Sequence, residues 1–487
     1  LRKAIIQFVS NSLHFAVALE ILKQEKDLNN EMHLYIWGTQ TKYPGRASVG
    51  FETISGFPPR NYRHLIMHAN HLTVYKNKMN YDAKWVRKEL KILENQILKY
   101  DSMEQLTELN LKGINPCPAL INEISTLTKD INFSIVNNHK LIGFLLESYL
   151  QVYNATCQLI NLSKIEKIYV YNGRFFHERA VWDAAKSLGV EIEIFETIRD
   201  RYILMTEGFH NRIHNQKIMI DLWQKSILSE EEKINVGSQF YDELRSKNNP
   251  FIIDSKNSFE IDKPFFVYFS SSDDEYIGLG SEWKRNLGNQ LNCVRELQRV
   301  FDNQNEYKLV IRLHPNLLNK SYKQKYEWSL LTNSISSRIV YADQRISSYD
   351  LLDKSMGSIT FGSTMGLESA FAKKPTLLLA DSNYDLLGVA DKANDWKYVI
   401  EWIKKGYLLS EDELLKRKNN SCIRGYYLAN GGINFKHTQL KQIGFGAWIA
   451  LYFDKVKVPN INRLAIVRKL KSKWKFFKVI RMVNNGK

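Results

Sequence analysis

The sequence predicts two α/β units, each built on a doubly wound parallel sheet. The chain has 487 residues, more than one hydrophobic core usually organises. Two separate stretches alternate short apolar runs, rich in β-branched and aromatic residues, with helical periodicity, which is the βαβ signature of parallel sheets. Several of those runs stop abruptly at small or polar residues. Buried parallel strands end this way where they deliver side chains to the carboxyl edge of an open sheet, the edge that binds ligands.

Composition supports a well-packed chain. Hydrophobic residues make up 44% and aromatic residues 12%, which excludes a mainly disordered protein. The 68 Lys and Arg residues outnumber 52 Asp and Glu, for a net charge of +16. Nine of those basic residues, and no acid, fall between Arg463 and Lys487. The four cysteines, Cys117, Cys157, Cys293 and Cys422, lie far apart without CxxC spacing, so neither a disulfide framework nor a zinc site is indicated, and a reducing cytoplasm fits. The start, Leu1 to Ser10, reads as a first strand rather than a signal peptide. The longest apolar run, Gly444 to Phe453, is about half the roughly 20 residues a spanning helix needs.

In chain order, Ala4 to Val9 reads as a buried strand, His14 to Lys26 as a helix and Met32 to Trp37 as a second strand. The turn-rich stretch from Gly38 to Asn80 carries His64, His68 and His71, at spacings that put them on one helical face; without a Cys or acidic partner they read as surface or acceptor-lining residues. Helical patterns fill much of Tyr81 to Leu111 and His139 to Leu162, separated by Asn115-Pro116-Cys117-Pro118. The run Lys167 to Tyr171 then ends in Asn172-Gly173-Arg174, and a helix through Arg179 leads to the strand Val190 to Phe195, which ends at Glu196. Asn172, Arg174, Arg179 and Glu196 are therefore expected at one sheet edge. The alternative is a plain Asn-Gly turn followed by arginines on a helix surface.

The expected domain limits are 1–225 for an acceptor-side unit, 226–262 for a helical connection, 263–435 for a nucleotide-binding unit and 436–487 for a crossover helix and tail. The connection includes Ser229 and Glu230 to Glu232, an N-cap followed by acids in the first turn. Strands of the second unit are expected at Pro264 to Phe269, Tyr307 to Leu313, Arg338 to Tyr341, Gly357 to Phe361 and Thr376 to Leu379.

Two strand ends in this unit carry chemistry. After Lys308 to Leu313 come His314-Pro315, and after Gly357 to Phe361 come Gly362-Ser363-Thr364 and a helix with Glu368 in its first turn. His314 can donate to a phosphoryl oxygen with Arg312 supporting by charge, and Pro315 fixes the backbone behind them. Ser363 and Thr364 offer hydroxyls and amides at a helix start, and Glu368 can accept from ribose hydroxyls. Taken singly, His-Pro is a loop end and Gly-Ser-Thr a helix cap. Together in one βα array they describe a site for a nucleoside phosphate without a metal. No Walker loop, dinucleotide fingerprint, GxSxG elbow or Asp-x-Asp motif is present.

The combination resembles the GT-B glycosyltransferases of bacterial capsule and surface polysaccharide synthesis. His314-Pro315 and Ser363-Thr364 are similar to the His-Pro and Ser-Ser/Thr motifs of bacterial sialyltransferases and Kdo transferases, where they bind the nucleotide of a CMP-activated sugar acid. Phe361 to Pro375 resembles a GT-B donor-site segment. Tyr171 to Arg179 and Ser270 to Glu275 resemble stretches of capsule-biosynthesis relatives, which adds Ser271 and Ser272 to the donor side. The resemblance implies two Rossmann-like domains facing across a cleft and a nucleotide-sugar donor as substrate, with no cofactor and no metal. It departs at Asn172, where the sugar-acid transferases carry an acid before the glycine. Asn is neither a general base nor a carboxylate nucleophile. Glu196 is therefore the first candidate for the catalytic carboxylate, followed by Glu178 and the cluster Asp273, Asp274 and Glu275.

Leu464, Val467, Leu470, Trp474 and Phe477 recur at helical spacing among the basic residues, which predicts an amphipathic C-terminal helix suited to an anionic membrane surface. The expected protein is a cytoplasmic glycosyltransferase peripherally bound to the inner face of the membrane through residues 463–487. It would transfer sugar to a growing glycan or lipid-linked glycan and would not bind nucleic acid. The alternatives are a glycerophosphate-type transferase, a sugar epimerase of the same fold, or a non-catalytic glycan-binding protein.

Overall fold

The computed structural model describes residues 1–8, 12–37, 74–75, 79–198, 201–208, 211–246, 260–272, 279, 283–304, 306–341, 346–405, 408–442, 449–453 and 456–457. It divides into two compact units, one formed by residues 1–128, 132–210 and 432–487, the other by 129–131 and 211–431.

The first unit opens with β1 (Arg2–Gln7), α1 (Ser12–Asp27), β2 (Glu31–Ile36) and the short β3 (Val74–Tyr75). Helices α2 (Ala83–Ile97), α3 (Met103–Leu106), α4 (Cys117–Thr128) and the long α5 (Ile135–Ser163) precede β4 (Lys167–Tyr171), α6 (Phe176–Ser187), β5 (Glu191–Ile198) and β6 (Arg201–Met205). With β13 (Ile433–Asn434) these strands form a seven-stranded sheet in the order β13-β6-β5-β4-β1-β2-β3. The five strands from β5 to β3 are parallel, whereas β6 and β13 add an antiparallel edge. Strand order reverses between β1 and β4. The α1 side chains Ala16, Val17, Ala18, Leu19 and Leu22 pack against Ile5, Leu34 and Tyr169 of the sheet.

The second unit begins with α7 (Arg212–Gln224) and α8 (Glu230–Arg245). Its sheet comprises β7 (Phe265–Phe269), β8 (Lys308–Arg312), β9 (Arg338–Val340), β10 (Gly357–Thr360), β11 (Thr376–Leu378) and β12 (Asp391–Lys392), all parallel, in the order β12-β11-β10-β7-β8-β9. Helices α9 (Gln290–Asp302), α10 (Tyr322–Ser334), α11 (Ser348–Lys354), α12 (Met365–Phe371), α13 (Trp396–Lys405) and α14 (Glu411–Asn430) complete it. Every residue of β7 is buried. Phe266 and Tyr268 meet α9 and α13 residues in one core layer, while Phe265, Val267 and Phe269 meet Leu351 and Leu352 in the other. Covering both faces explains why the strand reads as a continuous apolar run, and each such aromatic contributes about 1.5–3 kcal/mol on burial. These are the two α/β units on largely parallel sheets expected from the sequence.

The domain limits differ from expectation. Residues 211–225 belong to the second unit, and α8 is part of it rather than a connection. Trp223, Cys422 and Tyr426 share a small core where α7, α8 and α14 meet. Gly425 of α14 lies against Gly237 of α8 so closely that a Cβ added there would stand 2.1 Å from the Gly237 carbonyl oxygen. Arg212 of α7 is fixed by Asp381 and Asp385 at 2.8 Å each, and Lys392 bonds the same two acids. The expected crossover helix after residue 436 is also replaced. Strands β14 (Thr438–Gln442), β15 (Ile449–Phe453) and β16 (Val456–Lys457) form a three-stranded antiparallel sheet. Its entry is tied to the first unit by the buried carboxylate of Glu20, which accepts from the backbone N–H groups of Lys436, His437 and Thr438. Among the described residues no helix is long and apolar enough to cross a membrane. The basic segment 463–487 and His64, His68 and His71 lie outside the described residues.

Candidate functional site

In the second unit the strand order reverses between β7 and β10, and the segments after these two strands form the lips of that switch point. After β7, Ser270, Ser271 and Ser272 are all buried. Gln290, the first residue of α9, clamps Ser271 by accepting from its N–H at 2.7 Å and donating to its carbonyl at 3.1 Å. The Ser271 hydroxyl is buried and meets no partner among the described residues. Thr360, the last residue of β10, ties the two lips together. Its Oγ1 donates to the Phe269 carbonyl at 3.0 Å and accepts from the N–H groups of Gly362 and Ser363 at 3.2 and 2.9 Å.

One strand over, the backbone N–H of His314 donates to Ser270 Oγ at 2.7 Å. The His314 Nδ1 accepts from the N–H of Asn316 at 3.1 Å, as Pro315 opens a 3-10 turn over 315–319. That bond leaves Nε2 as the protonated nitrogen, the tautomer needed to donate to an anionic oxygen. His314 is therefore brought to the same sheet edge as Ser270–Ser272, and Ser363 and Thr364 stand at the other lip.

Other expected donor-side residues are engaged elsewhere. Arg312 is buried and donates to the carbonyl of Tyr341 beyond β9, so its guanidinium is held beside the neighbouring strand. Glu368 accepts from the Tyr349 hydroxyl, and burial raises its carboxyl pKa despite that bond. It reaches toward α11 rather than standing open for ribose hydroxyls. Thr364 is the N-cap of α12 but makes no side-chain capping bond, whereas Ser363 Oγ accepts from the Met365 N–H at 3.4 Å.

In the first unit Asn172 and Gly173 follow β4 at the β1/β4 switch point, both in the left-handed region at φ +55° and +69°. Asn172 Nδ2 donates to Glu196 Oε2 at 2.6 Å, and its Oδ1 accepts from the Arg174 N–H at 3.2 Å. The second Glu196 oxygen accepts from the Thr197 N–H at 2.9 Å, and Tyr171 hydrogen-bonds the same carboxylate. Burial raises the Glu196 pKa against these bonds. The expected meeting of Asn172 with Glu196 is present, with Arg174 beside them. Arg179 is engaged along its own helix. It pairs with Asp183 one turn along α6 at 3.0 Å, and Asp183 also accepts from Tyr149 of α5. Glu178 is buried, and desolvation pushes its carboxyl up to about 8. Asp273, Asp274 and Glu275 lie outside the described residues.

Sequence reasoning missed His14, which stacks on Tyr171 with ring centroids 3.7 Å apart, its pKa lowered by burial to about 4. It also missed Thr360, Gln290, Tyr349 and Tyr384. Thr360 had a signal, since a hydroxyl ending a buried run beside Gly-Ser is placed to receive loop amides. Gln290 and Tyr349 had none, because their partners, Ser271 and Glu368, each lie 19 residues away on another element and no local pattern links them.

Residues 246–414, about a third of the chain and including the whole second sheet, match the family described as capsule polysaccharide biosynthesis protein. No curated protein matches the chain. Similar solved structures include the beta Kdo 2,4 transferase KpsC of Thermosulfurimonas dismutans, 12% identical, with 53% of this chain and 79% of that chain covered and a TM-score of 0.36. MnaA of S. aureus, in a co-structure with UDP, is 13% identical over 88% of this chain and 93% of that one, with a TM-score of 0.29. The UDP-GlcNAc 2-epimerase from Neisseria meningitidis bound to UDP-GlcNAc is 12% identical over 88% and 97%, with a TM-score of 0.27.

Proposed function

We propose that the protein is a glycosyltransferase of capsule or surface polysaccharide synthesis, moving a sugar from a nucleotide-sugar, a CMP-linked sugar acid by preference, to a glycan acceptor. The observation that carries this reading is the β7/β10 switch point. Hydroxyls and amides of Ser270 to Ser272 and Gly362 to Thr364 line its two lips, with the Nε2–H of His314 beside them. The capsule-biosynthesis match over 246–414 spans all of these residues.

In the proposed reaction the acceptor oxygen bonds to the anomeric carbon as the bond to the donor phosphate breaks. The acceptor proton passes to a base, and the phosphate leaves as an anion. His314 and the loop amides stabilise charge growing on that phosphate, and fixed donors of this kind need no metal. Asn172 and Arg174 of the first unit serve the acceptor, with Glu196 holding Asn172 in place. A lipid-linked acceptor and membrane contact through 463–487 belong to the same proposal.

Glu196 being committed to Asn172 and Thr197 favours one second reading, a glycan-binding protein without turnover. Incubation with CMP-, UDP- and GDP-sugars and CDP-glycerol, with and without glycan acceptor and in EDTA, decides between them. Acceptor-dependent release of nucleotide that persists in EDTA and is lost in His314→Ala is expected. Unchanged nucleotide affinity in His314→Ala would remove the donor-site assignment, and release from no donor would leave the binding protein.

A further inference from the structure

The buried and part-buried arginines of the second unit mostly meet carboxylates. Arg212 has Asp381 and Asp385, Arg417 has Asp391 and Glu413, and Arg245 has Asp353. Arg424 is different. Its Nη1 approaches the Met219 sulfur at 3.6 Å and its guanidinium lies 5.8 Å from the Tyr427 ring centroid. No carboxylate pairs with it among the described residues, and a methionine sulfur is a weak acceptor.

Arg424 lies four residues beyond Asn420 on α14, so the two share a helix face. Asn420 Nδ2 donates to the Gly388 carbonyl at 3.1 Å, in the loop that leaves the carboxyl end of β11. Across from it, Gln216 of α7 holds that same loop through Ser382, Asp385 and Leu386, and Met219 follows one turn later. The two helices therefore hold the loop between them, and one turn along each helix Arg424 faces Met219.

We propose that Arg424, where α7 and α14 meet, binds an oxyanion, a phosphate or carboxylate group of a small ligand. A guanidinium offers five donors in a planar fork that matches both groups, and among the described residues its one hydrogen bond goes to the Met219 sulfur. Burial also lowers the Arg424 pKa, the cost of an uncompensated charge that a bound anion would relieve. The inference goes beyond the donor site and stands without the transfer reaction.

The test is calorimetric titration of the full chain with inorganic pyrophosphate, CMP and a free sugar acid, for wild type, Arg424→Met and Arg424→Lys, with thermal midpoints recorded in parallel. Arg424→Met is expected to weaken at least one probe by tenfold or more, Arg424→Lys by less, and the ligand-free midpoint of Arg424→Met to stay level or rise. Loss for pyrophosphate and CMP identifies a phosphate, and loss for the sugar acid alone a carboxylate. Wild-type affinity for every probe in Arg424→Met, no binding by wild type, or a lowered midpoint in Arg424→Met would overturn the proposal. Failure of the donor site is read separately, in His314→Ala.

Discussion

The side-chain amide of Asn172 and the carboxylate of Glu196 are joined by a 2.6 Å hydrogen bond across the ends of β4 and β5. Thr197 and Tyr171 also donate to Glu196, so the carboxylate is surrounded by donors and orients Asn172. Asn172→Asp replaces that donor with a second carboxylate at contact distance. Like charges so close cannot both ionise, so one carboxyl keeps its proton and its folded pKa rises. A raised folded pKa gives stability that is present below the unfolded value, about 4, and lost as pH rises through the folded value. Thermal melts from pH 4 to pH 8 are expected to show a deficit against wild type that grows with pH, at about 1.4 kcal/mol per unit of pKa rise. A pH-independent deficit would show that the two carboxylates do not share the site.

Glu178 makes the converse prediction. Burial lifts its carboxyl to about 8, so the folded protein holds it neutral at pH 7 whereas the unfolded chain ionises near pH 4 to 5. Wild-type stability from this group is therefore whole at pH 4 and declines as pH rises toward 8. Glu178→Gln keeps the shape and stays neutral throughout. Denaturant unfolding is expected to give near-equal stability at pH 4 and an advantage to the variant at pH 8, on the order of a few kcal/mol. Parallel curves across that range would mean that Glu178 reaches water.

Thr360→Val keeps the branched shape that β10 accommodates but removes the acceptor for the Gly362 and Ser363 amides. Two donors at the lip of the switch point then lose their partner, at a cost of about 1–3 kcal/mol. Nucleotide affinity is expected to fall about tenfold, roughly 1.4 kcal/mol, as the loop loses its fixed form. Calorimetry with CMP and UDP checks this, and unchanged affinity would separate the loop from the nucleotide.

Much of this architecture was legible in the sequence. The five main strands of the second sheet fall within a residue or two of the runs that predict them, and β7 was the plainest, because a strand buried on both faces is apolar throughout. His314 and Ser363 were found for the same reason, since polar residues that end such runs must lie at the carboxyl edge. The domain limits were not legible. Whether α8 connects or packs is decided by Gly237 meeting Gly425, nearly 190 positions away, and no local pattern records that contact. The partners of Arg179 and Glu368, Asp183 with Tyr149 and Tyr349, were not legible either, and they compete with the sheet edge for the same side chains. Of the strands after residue 436, β14 lies in the polar stretch Thr438–Gln442, and β15 ends the apolar run 444–453, too short for periodicity to tell a strand from a helix segment.

Gly366 tests how tightly the donor loop is held. The Tyr384 hydroxyl donates to the Ser363 carbonyl, and a Cβ at Gly366 would come within 2.3 Å of that same hydroxyl oxygen. Gly366→Ala must therefore displace Tyr384, breaking its bond to the loop, and is expected to lower stability by about 1–3 kcal/mol despite the better helix propensity of alanine. Tyr384→Phe removes the colliding oxygen and, alone, costs about 1 kcal/mol for the lost bond. If the collision is the cause, the double variant is more stable than the sum of the single losses, because the second substitution removes what the first one struck. Ring carbons at 3.1 and 3.2 Å limit the rescue to a part. Additive losses in a double-mutant cycle of thermal or denaturant unfolding would mean that Gly366 is required for some other reason than the approach of Tyr384.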